Sequence, residues 1–389
     1  MGASVRRALA LAVLLAVAGC GTISGWFGAS SPKVKPAELT AIQDKVRLTR
    51  LWEANVGPGR PYVFHPASDG QAIYAAGRDG RIVRLDPASG REQWRIEAGR
   101  ALSGGVGAGA GLVLVGTAKG ELLAYRAADG QPAWTAQLSG EILTPPVVAG
   151  GLVLARGNDG KVWALEAADG RRRWVYSRAL PALTLREPSG MTADERAVYA
   201  GFPGGRLVAL ALTNGAPLWE ATVALPRGTN ELERITDVTG PLAVDARSVC
   251  AAAYQGRIAC FDRSNGQNLW SRDLSATRGV AGDARLLYAI GQQDHVQAFD
   301  RSRGASPWKQ DKLHGRQLGT PLPLAQGRYL AVADYQGYIH ILDSDSGALI
   351  GRTATDGSPI PAPMLPSGNG LIAQTANGNL YAYALAATP

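Results

Sequence analysis

A unit of about forty residues recurs along this chain, and a fixed period of that size restricts it to a repeat architecture. The clearest copy is residues 77–94, GRDGRIVRLDPASGREQW. The apolar run at residues 72–76 and the run at 82–85 read as strands. Between them Asp79-Gly80 predicts a two-residue type I′ hairpin, since both residues tolerate positive φ. Asp86, Pro87 and Gly90 mark a longer turn, and Trp94 anchors a third strand. One unit is a small antiparallel meander.

The copies align on the two turn glycines and the tryptophan. Trp94, Trp134, Trp174, Trp219, Trp270 and Trp308 follow one another at spacings of 40, 40, 45, 51 and 38 residues. A seventh copy keeps Gly337, Asp343 and Gly347 but has Ile350 and Gly351 where the tryptophan is due. An eighth begins at Gly378 and lacks its last strand, which would leave an open sheet edge. Residues 48–54, LTRLWEA, supply that strand, with Trp52 standing 42 residues before Trp94. The expected fold is therefore all-β: an eight-bladed β-propeller of four-stranded antiparallel blades, closed by the N-terminal strand in the last blade. Runs such as VWAL at 162–165 and LVAL at 207–210 are apolar on both faces, as sheets stacked between neighbours require. Ala124, Ala164, Ala209, Ala298 and Ala382 form a column of small residues that lets adjacent sheets approach.

The start of the chain reads as an export signal. Arg6 and Arg7 precede an apolar run at 8–18, too short to cross the roughly 30 Å hydrocarbon layer as a helix. Val17-Ala18-Gly19-Cys20 resembles the lipobox of bacterial lipoproteins, which implies cleavage before Cys20 and acylation of that cysteine. Several acyl chains hold a protein stably on a membrane. Gly21 stands where the inner-membrane retention signal has aspartate, so the resemblance implies an outer-membrane anchor. Residues 21–36 are rich in Gly, Ser and Pro and would reach about 20 to 25 Å as a coil. Residues 37–44 are expected to form one or two helical turns. The expected organisation is a signal peptide at 1–19, a lipidated cysteine and tether at 20–44, and the propeller at 45–389.

Composition bears mainly on partners. The net charge is +8, but only seven of the 40 cations are lysines and no basic block occurs, so nucleic acid is not an expected ligand. Catalytic signals are poor. His65, His295, His314 and His340 are dispersed, without metal-ligand spacing. Asp86, Asp262, Asp300 and Asp343 recur at the start of a tight turn, where a carboxylate accepts backbone N–H bonds. Cys250 and Cys260 flank Gln255-Gly256. A two-residue loop there puts them on opposite faces as buried thiols, whereas a bulge would align them for a disulfide.

The units resemble the pyrroloquinoline-quinone repeat, G-x-[LI]-x-A-L-D-x-x-[ST]-G-x-x-x-W, shared by quinoprotein dehydrogenases and non-enzymatic relatives. The alternative function this implies is a periplasmic quinoprotein-like dehydrogenase. The chain lacks the adjacent cysteine pair of those enzymes, so no cofactor and no catalytic residues are expected.

The extra residues fall after Trp174 and Trp219, and long loops on a rigid ring are where binding is placed. The first contains Leu183-Thr184-Leu185-Arg186. The second contains Glu231-Leu232-Glu233-Arg234-Ile235-Thr236-Asp237-Val238, for which a short helix capped by Thr229 or Asn230 is expected. Together with the lipobox and the eight repeats, these loops resemble the BamB family of outer membrane protein assembly factors. That resemblance implies a non-enzymatic scaffold lipoprotein of the β-barrel assembly machinery, facing the periplasm. Its expected partners are the periplasmic POTRA domains of BamA, other assembly-complex subunits and unfolded outer-membrane proteins. By the same resemblance Leu183 and Leu185 are apolar contacts, Arg186 the charged contact and Asp237 the acidic one. The family's second aspartate is replaced by Thr239 here. The competing reading of the two leucines is that they cap the propeller.

Overall fold

The computed structural model describes residues 35–387. Cys20 and the tether up to residue 34 lie outside the described residues. Eight four-stranded antiparallel sheets follow one another, and in each the strands lie in sequence order except in the last. Blade 1, for example, comprises Ala67–Ser68, Ile73–Ala76, Arg81–Leu85 and Glu92–Glu97. Blade 8 takes Leu365–Ser367, Gly370–Gln374 and Asn379–Ala387 from one end of the chain and Val46–Asn55 from the other. Val46–Asn55 pairs along Asn379–Ala387 with Trp52 opposite Ala382, so the ring closes as its repeat pattern requires.

Stacking of both faces is visible in the core. Among the described residues the buried apolar side chains fall into eight clusters, each shared by two adjacent blades. Leu152, Leu154 and Trp174 of blade 3 meet Val198, Ala200 and Phe202 of blade 4, while Val153 and Ala155 turn the other way onto Leu112 and Leu114 of blade 2. The alternation of a strand, hydrophobic on both sides, thus joins each sheet to two neighbours.

The tryptophans are the joints between blades. Each of seven indole N–H groups donates to a backbone carbonyl in the next blade, from Trp52 to Pro87 at 3.0 Å through to Trp308 to Ser344 at 2.8 Å. The indole also covers the next blade's turn glycine. At Gly170, where φ is +72°, a Cβ would stand 2.5 Å from the Trp134 ring. The alanines of the small-residue column lie across the strand pair from these rings, as Ala124 does from Trp134 and Ala164 from Trp174. Blade 7 has no tryptophan because the seat is missing. The third and fourth strands of blade 8 are not joined by a turn, and the Val46 carbonyl fills the space beside Gly351.

Three local expectations are corrected. The turn after the second strand holds three residues, not two. In blade 1 the Gly80 N–H bonds the Gly77 carbonyl, and the Gly77 N–H bonds the Arg81 carbonyl. That is a type I turn followed by a left-handed residue, Gly80, at φ +99°. In blade 5 the loop is again three residues, Tyr254-Gln255-Gly256, but its left-handed residue is the middle one, Gln255, at φ +47°. A one-residue change in a hairpin moves side chains to the other face. Cys250 therefore lies directly opposite Cys260, with Cα atoms 4.0 Å apart, and the two form a disulfide buried against blade 6.

Residues 37–44 are irregular rather than helical, because they are bound along blades 6 and 7 instead of forming their own hydrogen bonds. The Ala37 N–H donates to the His314 carbonyl at 2.8 Å, Arg316 Nη1 to the Ala37 carbonyl at 3.1 Å and Arg352 Nη1 to the Thr40 carbonyl at 3.1 Å. Both arginines reach the buried pair Asp334 and His340. Arg316 pairs with Asp334 at 2.6 Å, and Arg352 Nε donates to His340 Nδ1 at 3.2 Å. Nδ1 accepts, so the neutral ring donates through Nε2–H to Asp334 at 3.0 Å, and burial accordingly lowers the His340 pKa. The third correction concerns residues 230–234 and belongs with the site.

Candidate functional site

In an antiparallel blade the turn between the second and third strands and the exit from the fourth strand lie at the same end. Both long connections, residues 178–190 after blade 3 and residues 223–242 after blade 4, therefore emerge beside the glycine turns of blades 3 and 4. They also touch each other. The Asp237 carboxylate accepts the Leu185 N–H at 2.6 Å and the Gly204 N–H at 3.3 Å, so one side chain fixes the first loop, the blade 4 turn and the second loop.

Asp237 is only 2% exposed. The buried carboxylate holds the loop that carries Leu183, Leu185 and Arg186 through these two backbone N–H groups. Burial raises its pKa, and the two backbone N–H bonds oppose that rise. Thr239 is buried as well and donates to the Thr277 carbonyl at 3.0 Å. Residues 236–239 thus form an extended segment wedged between blades 4 and 5, with Val238 bridged to Ala253. This wedge also explains why the expected helix is a single turn. Asn230 accepts the Glu233 N–H at 3.0 Å and Glu233 accepts the Thr229 N–H at 2.7 Å, but the chain is drawn into the gap before a second turn can form.

The apolar groups stay outside. Leu183 is 42% exposed, Leu225 59% and Leu232 67%, whereas Leu185 is half-buried. Arg186 is exposed, forks onto Glu141 through Nε at 3.1 Å and Nη2 at 2.6 Å, and lies 5.5 Å from the Tyr62 ring centroid. Glu141 was not foreseen as a site residue. It sits on the short exit of blade 2, and only the curvature of the ring brings it beneath the loop. Its backbone N–H is held by Asn158 at 2.9 Å. Paired charges of this fork type fix a guanidinium in direction as well as position.

Residues from blades 1, 3, 4, 5 and 8 meet in a cavity of about 260 Å³, a combination that only the ring axis allows. Its lining includes His65, Pro145, Met191, Pro241 and Pro363. Burial lowers the pKa of His65 to about 4, so the ring is neutral at pH 7. A quinone tricarboxylate with calcium needs cationic and carboxylate donors, and this apolar lining does not fit it. Among the described residues no group of three or more His, Cys, Asp or Glu could hold a metal ion. The turn aspartates serve the backbone: Asp86 accepts the Ser89 N–H at 2.8 Å and Asp343 the Ser346 N–H at 2.9 Å.

The sequence matches the family described as outer membrane protein assembly factor BamB over residues 78–310 and 292–388. It is 39% identical to an outer membrane protein assembly factor BamB from Nitrosomonas eutropha, covering 99% of this chain and 96% of the relative. A relative of the same name from Burkholderia pseudomallei is 38% identical over 90% of this chain and 91% of its own. The crystal structure of BamB from Moraxella catarrhalis superposes with a TM-score of 0.80 at 28% identity, over 87% of this chain and 99% of that one. A quinohemoprotein alcohol dehydrogenase from Comamonas testosteroni shares the fold alone, with a TM-score of 0.67 at 15% identity over 88% of this chain and 77% of that one.

Proposed function

The chain belongs to the BamB family of outer membrane protein assembly factors, and on that premise we propose that it is a non-enzymatic lipoprotein that docks on the periplasmic POTRA domains of BamA. Cys20 is the proposed lipid anchor, holding the propeller on the periplasmic side of the outer membrane. In this reading the ring is a rigid mount that helps BamA insert β-barrel proteins.

The observation that carries the docking site is the Asp237–Leu185 hydrogen bond. It ties two loops from consecutive blades together; Leu183 and a fixed Arg186 lie on the first, and the second exposes Leu225 and Leu232. Exposed apolar anchors beside an oriented arginine have the composition of an interface centre. A propeller that only spaced other proteins would have no use for this preorganisation. Retrieving the tagged lipoprotein from detergent-solubilised outer membranes tests the reading. BamA should copurify with the wild type and be depleted when Arg186 and Leu183 are both replaced by alanine. Equal recovery would remove the platform as the docking site.

A further inference from the structure

Beside the platform, between the blade 3 turn and the first long loop, lies a cavity of about 190 Å³. Its lining includes Arg156, Asn158, Leu180, Thr184, Leu185 and Glu187. Arg156 ends the second strand of blade 3, Leu152–Arg156, and is only 5% exposed. Its guanidinium stacks on Phe202 at 4.3 Å, and its side chain makes no hydrogen bond or ion pair among the described residues. Nη1 is fully buried and unsatisfied. Burial alone pulls its pKa down to about 10, with no counter-charge opposing the fall.

The acids nearby are already engaged. Glu141 is forked by Arg186, and Glu187 lies 3.7 Å from Arg278. A buried guanidinium with five donors costs free energy unless it is paired, and an incoming acceptor would relieve that cost. We propose that this cavity is an acceptor pocket for a carboxylate side chain of the docking partner, read by Arg156 and bordered by Asn158 and Thr184. A carboxylate matches the planar fork of a guanidinium. A protein is favoured as its source because the cavity shares Leu185 and Arg186 with the platform, whose exposed leucines suit a protein surface rather than a free ion. The inference rests on the docking reading for the identity of the partner. The pocket itself does not.

Two arms separate the pocket from the partner. In the first, purified BamA periplasmic domains are titrated against the wild type, Arg156→Met and Arg156→Lys, with a thermal melt of each. Arg156→Met should bind at least about tenfold more weakly while melting no lower than the wild type, and Arg156→Lys should recover part of the loss. Wild-type affinity for Arg156→Met would overturn the proposal. In the second arm the Arg156 side-chain Nε–H signal is followed by NMR during titration with acetate and, separately, inorganic phosphate. A saturable shift with acetate supports the carboxylate pocket even if the wild type fails to bind BamA, which would sink only the docking reading. No shift with acetate, or a stronger response to phosphate, overturns the carboxylate assignment.

Discussion

Asp237 and Leu185 are 52 residues apart in the chain and 2.6 Å apart in space, joined by a hydrogen bond from the Leu185 backbone N–H to the Asp237 carboxylate. Removing that acceptor strands two backbone donors, those of Leu185 and Gly204. Asp237→Ala should therefore cost about 1 to 3 kcal/mol of stability and weaken partner binding by loosening the loop. Asp237→Asn keeps an acceptor oxygen and should lose less of both. Equal affinities in the two variants and the wild type would show that the loop does not need this tie.

The joint between blades makes a sharper demand on Gly170. A side chain there must displace the Trp134 ring and adopt positive φ. Gly170→Ala should destabilise by roughly 1 to 3 kcal/mol, as overpacking does, and Trp134 fluorescence should shift. The same substitution at Gly99, where nothing lies within 4 Å of the added Cβ although φ is also positive, should cost less. If both cost the same in a urea melt, the penalty comes from φ alone and the indole contact contributes nothing.

Ring closure depends on Val46–Asn55. Deleting residues 46–55 should expose the edge of Asn379–Ala387 and cause aggregation or loss of the cooperative melt. Trp52→Ala alone should cost about 3 to 5 kcal/mol, the range for emptying a buried tryptophan site. A deletion variant that melts like the wild type would contradict closure by this strand.

Acid should loosen the outer turns. Hydrogen bonds, first from the Ser302 hydroxyl and then from Arg303, lower the Asp300 pKa from 3.8 to about 2. Asp86, Asp262 and Asp343 are lowered in the same way, each first by a serine hydroxyl. A depressed carboxylate stabilises the fold fully above its unfolded pKa and loses that contribution as pH falls through the folded one. Melting temperature should thus drop between about pH 4 and pH 2. These carboxylates are half-buried and their serine hydrogen bonds are open to solvent, so each contributes little, and Asp300→Asn should flatten the drop only partly. Asp237, raised by burial, acts with the opposite sign. An unchanged slope in Asp300→Asn would exclude its turn as a contributor.

Much of the architecture is legible in the sequence because one residue type marks one joint. Tryptophan spacing counts the blades, and the orphan Trp52 reveals the closing strand. What escapes depends on geometry finer than the period. Asp79-Gly80 is compatible with two hairpin loops that differ by one residue, and that difference decides whether Cys250 meets Cys260. The burial of Asp237 follows from packing between consecutive blades, which no local pattern encodes. Arg156 resembles any solvated strand end until the position of Phe202 and the first long loop is known. Loop length and the BamB-like motif single out the two loops that Asp237 ties together, whereas Glu141 comes from an unremarkable short connection.

Arg186 gives the most direct test of the docking platform. It is exposed, so replacing it by alanine forfeits one ion pair with Glu141 and should move the melting temperature little. Titrating purified BamA periplasmic domains should show Arg186→Ala binding about 1 to 3 kcal/mol more weakly than the wild type, with Arg186→Glu weaker still through repulsion of acidic partner groups. Wild-type affinity in a correctly folded Arg186→Glu variant would contradict the assignment of this surface to BamA.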